Sequence, residues 1–165
     1  PEFRGRGIAK ELLKIAISVL RQKGMRTAAA WAEDDRPTCI HLYELFGFKR
    51  VRTSSSMRRN MTIQTKNCRR NELVSLREAR LEDDGEMSLL TRLENEAFKE
   101  HFNYRPMTAE EVRYMVRESP FWKTQKAWFA TFEDKVVGYV VAGIDDRLNS
   151  EKRAKYGWIL DIGVL

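Results

Sequence analysis

The two ends of this chain constrain its fold more than anything between them. It closes on Trp158-Ile159-Leu160-Asp161-Ile162-Gly163-Val164-Leu165, an apolar run suited to a buried strand. It opens on Pro1-Glu2-Phe3-Arg4-Gly5-Arg6-Gly7, a basic glycine turn that leads into a helix-periodic segment. Placed end to end, these pieces read as strand, tight turn and helix. Gly5 and Gly7 leave the backbone free to approach a ligand and to adopt positive φ. The first N–H groups of a helix lack intrahelical partners and, with the helix dipole, favour an anion such as a pyrophosphate. Arg4 and Arg6 add positive charge. An ordinary strand-to-helix turn with solvated arginines would look the same in isolation; the flanking strand and helix favour the anion site.

The helix is marked by Ile8, Leu12, Ala16, Val19 and Leu20 on one face, opposite Lys10, Glu11, Lys14, Ser18 and Arg21. Gly24 sits at its C-terminal stop. A buried strand is expected over Met25–Glu33. Asp34-Asp35-Arg36-Pro37 then opens a second helix, with proline in its first turn, that ends at Gly47-Phe48. Strands are expected over 48–53 and about 57–65. The polar, basic run 66–72 reads as a linker. Leu73–Arg77 restarts as a strand. Asp83-Asp84 cap a long helix bearing Met87, Leu90, Leu93, Ala97 and Phe98, and Thr108-Ala109-Glu110-Glu111 forms a capping box for the next. A hairpin is expected around Asp134-Lys135, then a charged loop over 145–155 and a last strand over 156–165.

Several of these segments match one family. Arg4-x-x-Gly7-x-Ala9 resembles the acetyl-CoA-binding signature of the GCN5-related N-acetyltransferases, the GNAT superfamily. Leu42-Tyr43-Glu44-Leu45-Phe46-Gly47-Phe48 is similar to a second signature of that family, Ser75-Leu76-Arg77-Glu78-Ala79 to its opening strand, and Val136-Val137-Gly138-Tyr139 to a central one. The resemblance covers nearly the whole chain in rotated order: residues 1–65 correspond to the C-terminal half and 73–165 to the N-terminal half. It implies an α/β (α+β) fold, a mixed, mainly antiparallel sheet flanked by helices, with the two halves forming one domain in permuted order. The strand over Met25–Glu33 leans on this pattern, since alanine favours helices. A circular permutation would produce such an order. So would the middle of a tandem-GNAT protein; the stretch from Ala97 to Pro106 is similar to the mycothiol-synthase-like tandem group.

The resemblance also implies a chemistry: direct transfer of an acetyl group from acetyl-CoA, a cosubstrate, to a primary amine of a small molecule or protein. Arg4, Gly5, Arg6, Gly7, Ile8 and Ala9 would bind the pyrophosphate. Backbone N–H groups around Ile162, Gly163 and Val164 would polarise the carbonyl. Tyr43 would protonate the departing thiolate, since a phenol near pKa ~10 matches its basicity. Asp161 is the first choice of proton acceptor and Glu33 the second. A strand-edge carboxylate with satisfied hydrogen bonds is the plainer reading of Asp161. Arg36 stands where the family often has an asparagine that contacts CoA, and could reach a phosphate instead. The final strand would part from a neighbour to admit the acetyl-CoA arm.

Length and composition narrow the classes. A chain of 165 residues buries one substantial core and hardly two. No window is long and apolar enough for a membrane span, and no signal peptide is visible. Cys39 and Cys68 read as reduced thiols of a cytoplasmic protein. With two cysteines and two histidines, all scattered, no metal site is expected. The net charge is +6, and no acid falls between Glu44 and Glu72. A solvated face is the commoner meaning of such a run; nucleic acid is disfavoured because no basic-aromatic stacking motif accompanies it. Two alternatives stay open beside the enzyme: a catalytically weak GNAT-fold CoA-binding protein and a basic interaction module. A homodimer with exchanged halves stays open too.

Overall fold

The structure, a computed structural model, describes residues 2–64 and 71–165. The chain divides into two compact units, Pro1–Gln64 and Thr65–Leu165. Most of the linker expected over 66–72 lies outside the described residues, as do Cys68 and Pro1.

The first unit holds two helices, α1 (Ile8–Gln22) and α2 (Pro37–Leu45). Each ends in the same device. Gly24 and Gly47 take φ of 75° and 82°, a left-handed conformation that glycine adopts without Cβ strain. After α1 the N–H of Met25 bonds the carbonyl of Leu20 at 3.0 Å and that of Gly24 bonds Arg21 at 2.9 Å. After α2 the N–H of Phe48 bonds Tyr43 at 3.1 Å and that of Gly47 bonds Glu44 at 2.9 Å. These are Schellman pairs, which satisfy the last helical carbonyls. No described residue of this unit is buried, and Leu12 and Ile15 on α1 are each 62% exposed.

The strands expected at 25–33, 48–53 and 57–65 do not form over the described residues. Strand structure is not local: it needs a ladder partner for every second N–H and C=O. None of these segments has one, and Ala28-Ala29-Ala30 has little β preference of its own.

The second unit is a four-stranded antiparallel sheet in the order β1 (Val74–Ala79), β2 (Lys126–Phe132), β3 (Lys135–Gly143), β4 (Trp158–Val164). Together with the helices it makes the mixed α/β class expected from the sequence. Helices α3 (Asp84–Phe98) and α4 (Ala109–Glu118) pack together, and α3 lies against β3 and β4. The caps form as the sequence predicts. Asp83 accepts a bond from the N–H of Glu86 at 3.0 Å, and Thr108 and Glu111 close a reciprocal capping box. The β2–β3 turn is carried by Glu133 and Asp134, both at positive φ (46° and 61°). The charged segment expected to be a loop instead forms α5 (Asp146–Lys152). Its N-cap Asp145 bonds the N–H of Leu148 at 2.8 Å, and an Arg147–Glu151 pair at 2.9 Å supports its one exposed face.

The sheet register sorts residues into rows. Arg77, Phe129, Tyr139 and Gly163 form one row; Ala79, Ala127, Val141 and Asp161 form the next. Both belong to the face that builds the core, where Phe129, Met87 and Leu93 are the largest fully buried side chains. Arg77 lays its guanidinium over the Phe129 ring, 5.0 Å from its centre, and pairs with the buried Glu86 at 2.8 Å. That pairing, with a bond from the Arg80 N–H, holds the Glu86 carboxyl below the usual range. Strand β4 remains paired with β3 along its length and is the edge strand. The register shifts between Val141 and Ala142, which leaves Leu160 as an extra residue on β4 beside Asp161.

Candidate functional site

The glycine turn ahead of α1 is built as the sequence requires. Gly5 and Gly7 both sit at φ 77°, where a Cβ would be strained. Gly7 is the N-cap, and its carbonyl accepts from the N–H groups of Lys10 (3.0 Å) and Glu11 (3.2 Å). No side chain caps this end. Arg4, Ile8 and Ala9 are exposed, and Arg6 lies 5.7 Å from the Phe3 ring centre. Nothing lies within 4 Å of a Cβ built on either glycine. An open, basic helix N-terminus of this kind fits a phosphate or pyrophosphate.

The same unit holds Arg36, Glu33 and Tyr43. Arg36 caps α2 without a side-chain bond to it, and its Nε meets Glu33 Oε2 at 3.2 Å. Both groups are exposed. Tyr43 is half-buried, with its ring 5.3 Å from that of Phe48. This contact joins the two residues that a Schellman motif normally brings together, three positions before its C-cap and two after. The spacing Tyr43…Gly47-Phe48 therefore has a structural cause independent of any chemistry.

Asp161, Ile162, Gly163 and Val164 lie together on β4, in the second unit. Ile162 and Val164 are exposed. A Cβ on Gly163 would come within 2.7 Å of Tyr139 and 2.9 Å of Ala97, so glycine here lets the Tyr139 ring and α3 close onto the strand. Asp161 faces a cavity of about 210 Å³ between α3, α4 and the sheet. Its walls are largely apolar, with Leu90, Met107, Val112, Val116 and Leu160 among them. The polar groups on it are Glu94, Gln125, Tyr139, Ser119 and Asp161.

Their hydrogen bonds define the electrostatics. The Tyr139 hydroxyl donates to Asp161 Oδ2, while the N–H of Ile162 bonds Oδ1 at 2.8 Å. Burial and the Asp161 carboxylate push the Tyr139 phenol well above its ordinary value. Burial, and then the Asp161 charge, push the Glu94 carboxyl up to about 7. Gln125 Oε1 is the buried side-chain polar atom that has no hydrogen-bond partner among the described residues. Glu94, Tyr139 and Gln125 were not singled out from the sequence. For Glu94 a signal existed: an acid on the stripe Met87, Leu90, Glu94, Phe98, which is otherwise apolar.

Glu94 gives a pH prediction with a fixed sign. The folded carboxyl keeps its proton to about pH 7, whereas the unfolded one loses it near its ordinary 4.5. Between those values the folded state binds more protons, so this group makes stability fall as pH rises. Glu94→Gln should therefore gain melting temperature over the natural protein progressively from pH 4.5 to 7. Melting curves that stay parallel across this range would show that Glu94 is not so perturbed.

Known proteins bear on this site through its first segment. The model of the Acetyltransferase (GNAT) family matches residues 1–48, which contain the glycine turn, α1, α2, Arg36 and Tyr43. No curated protein matches the chain. Among solved structures, the chain is similar to a possible acetyltransferase from Clostridium difficile 630, at 21% identity and a TM-score of 0.37, over 56% of this chain and 58% of that one. Through residues 1–48, the chain is similar to the Acetyltransferase (GNAT) family.

Proposed function

We propose that this chain carries out acetyl-CoA-dependent N-acetyl transfer to a primary amine. The observation that carries the reading is the open, basic turn Arg4–Gly7, with both glycines at positive φ at the head of α1, inside the segment that matches the family. Acetyl-CoA supplies an activated acyl thioester. Arg4 and Arg6, with the N–H groups from Gly5 to Ala9, hold the pyrophosphate, and Arg36 reaches toward a phosphate. Tyr43 donates its hydroxyl proton to the leaving sulfur. N–H groups around Gly163 and Val164 stabilise the developing oxyanion; that of Ile162 is engaged by Asp161.

The amine must lose a proton to attack. Asp161 already accepts two hydrogen bonds, from the Tyr139 hydroxyl and the Ile162 N–H. Glu94, raised toward neutrality by burial and then by the Asp161 charge, is the better matched acceptor. Glu33, paired to Arg36 on an exposed surface, is the weakest of the three.

The rotated order belongs to the same proposal: residues 1–65 act as the C-terminal half of a GNAT fold and 73–165 as the N-terminal half, joined by the linker 66–72. Support comes from each unit alone. The first exposes the apolar face of α1, and the second exposes Leu76, Ile162 and Val164 on the sheet. The halves complete one another within a chain or by exchange between two chains. A cytoplasmic setting accords with the free Cys39 thiol. No helix of the described residues is long and apolar enough to cross a membrane. Among the described residues no group of three potential ligands could hold a metal ion.

The test is to incubate the protein with acetyl-CoA and a panel of primary amines, following thiol release and product mass. The reading expects both, together with a raised melting temperature in acetyl-CoA alone. A thermal shift without thiol release would favour the catalytically weak CoA-binding alternative. No shift and no release would overturn the proposal, and salt-sensitive binding to an acidic partner would then favour the basic interaction module.

A further inference from the structure

We infer that the cavity between α3, α4 and the sheet binds a compact monoamine: one ammonium group carried on a single ring or a short alkyl chain. Calling it the acceptor site rests on the acetyl-transfer reading; the binding itself does not.

Three observations carry the inference. The polar groups offered to a cation are acceptors, Glu94 once it gives up the proton it otherwise holds to about pH 7. Glu94 and Asp161 are carboxyls, and Gln125 presents a buried Oε1 with no partner. Of the donors on the wall, the Tyr139 hydroxyl is spent on Asp161, and the others, the Ser119 hydroxyl and the Gln125 amide, are uncharged. No lysine, arginine or histidine lines the cavity. A buried acceptor without a donor carries a desolvation cost that a ligand N–H would remove. An ammonium brings three such donors.

The remaining wall is apolar, so the rest of the ligand must be too. Leu90, Met107, Val116 and Leu160 offer it no hydrogen bond. Volume sets the size. At about 210 Å³ the cavity lies below the roughly 300–1,000 Å³ of drug-sized pockets and above the roughly 150 Å³ that holds a benzene ring. A polyamine would bring a second cation to the apolar wall at Val112 and Met115, where no anion meets it. Hexylamine or phenethylamine satisfies every requirement at once.

Calorimetry on the full chain without acetyl-CoA tests this, with hexylamine, phenethylamine, hexanol, hexanoate and spermidine as probes. The two monoamines should bind at least about tenfold more tightly than hexanol, the value of roughly one charged hydrogen bond. Hexanoate and spermidine should bind more weakly than hexanol. Glu94→Gln and Asp161→Asn should each erase the preference for amine over alcohol while leaving hexanol binding intact, which also shows that the variants are folded. Equal affinity for hexylamine and hexanol, tighter binding of hexanoate or spermidine, or a full amine preference in both variants would overturn the inference. Should a variant unfold, the five probes on the unaltered protein still decide. Acetyl transfer to polyamines alone would sink this inference and leave the proposed function standing. Monoamine binding without thiol release would do the reverse.

Discussion

Tyr43→Phe is expected to lower kcat about 10²–10⁴-fold, the usual worth of a positioned general acid. KM for acetyl-CoA should change little, because the lost hydroxyl acts on sulfur charge that develops only in the transition state. The ring itself should stay in place: its contact with Phe48 and the Schellman turn at Gly47 depend on the aromatic body and the backbone, not on the oxygen. Tyr43→Phe thus separates chemistry from local structure. Steady-state kinetics with the best amine of the panel checks it. An unchanged kcat would remove Tyr43 from the mechanism; a large rise in KM with kcat preserved would recast it as a binding residue.

Phe129→Ala should cost about 3–5 kcal/mol of stability, measured by urea unfolding followed at tryptophan. Phe129 is fully buried at the centre of the sheet, under the Arg77 guanidinium and beside Tyr139. Removing it leaves a void and strips the cover from the Arg77–Glu86 pair. Against a total of about 5–15 kcal/mol for a typical domain, such a loss decides whether the second unit folds. Leu76→Ala is the matched control. Leu76 is 69% exposed on the opposite face of the second unit, and in that unit alone its loss should fall within about 0.5 kcal/mol. Equal losses at the two positions would mean that the face bearing Leu76 is covered too, as assembly of the halves requires.

The contrast between the units shows what a sequence displays. Much of what neighbouring residues govern was legible: the caps at Asp83 and Thr108, and the stops at Gly24 and Gly47. The hairpin was legible as well, with its turn at Glu133-Asp134 rather than at the expected Asp134-Lys135. Segments whose structure depends on a distant partner were not. Residues 28–30 are alanines that only a ladder could hold extended, and 48–64 has apolar residues but no partner strand to fix them. The charged stretch that became α5 failed for a different reason. It has no apolar period, and its helix rests on the Asp145 cap and the Arg147–Glu151 pair.

At the candidate site, the position of Asp161 on the last strand was readable, but its surroundings were not. That Tyr139 spends its proton there depends on a strand pairing 22 residues apart, and that Glu94 joins them depends on α3 crossing β4. Those are tertiary facts. The part of Glu94 that sequence does reveal is its cost: a carboxyl on an apolar stripe needs a reason to be there.

The two well-made helix ends of the first unit also have a use at the bench. Helix α1 is 15 residues long, about the length at which a helix in water hovers between forming and melting. Its C-terminal end is satisfied, and its apolar face meets no interior of its own. The balance between helix and coil over residues 8–22 is therefore left to whatever settles on that face. The far-ultraviolet helical signal, followed against dilution, becomes a gauge of company: a helix content that fades as the chain is diluted reports an exchange between molecules, and one that holds constant reports a face covered from within.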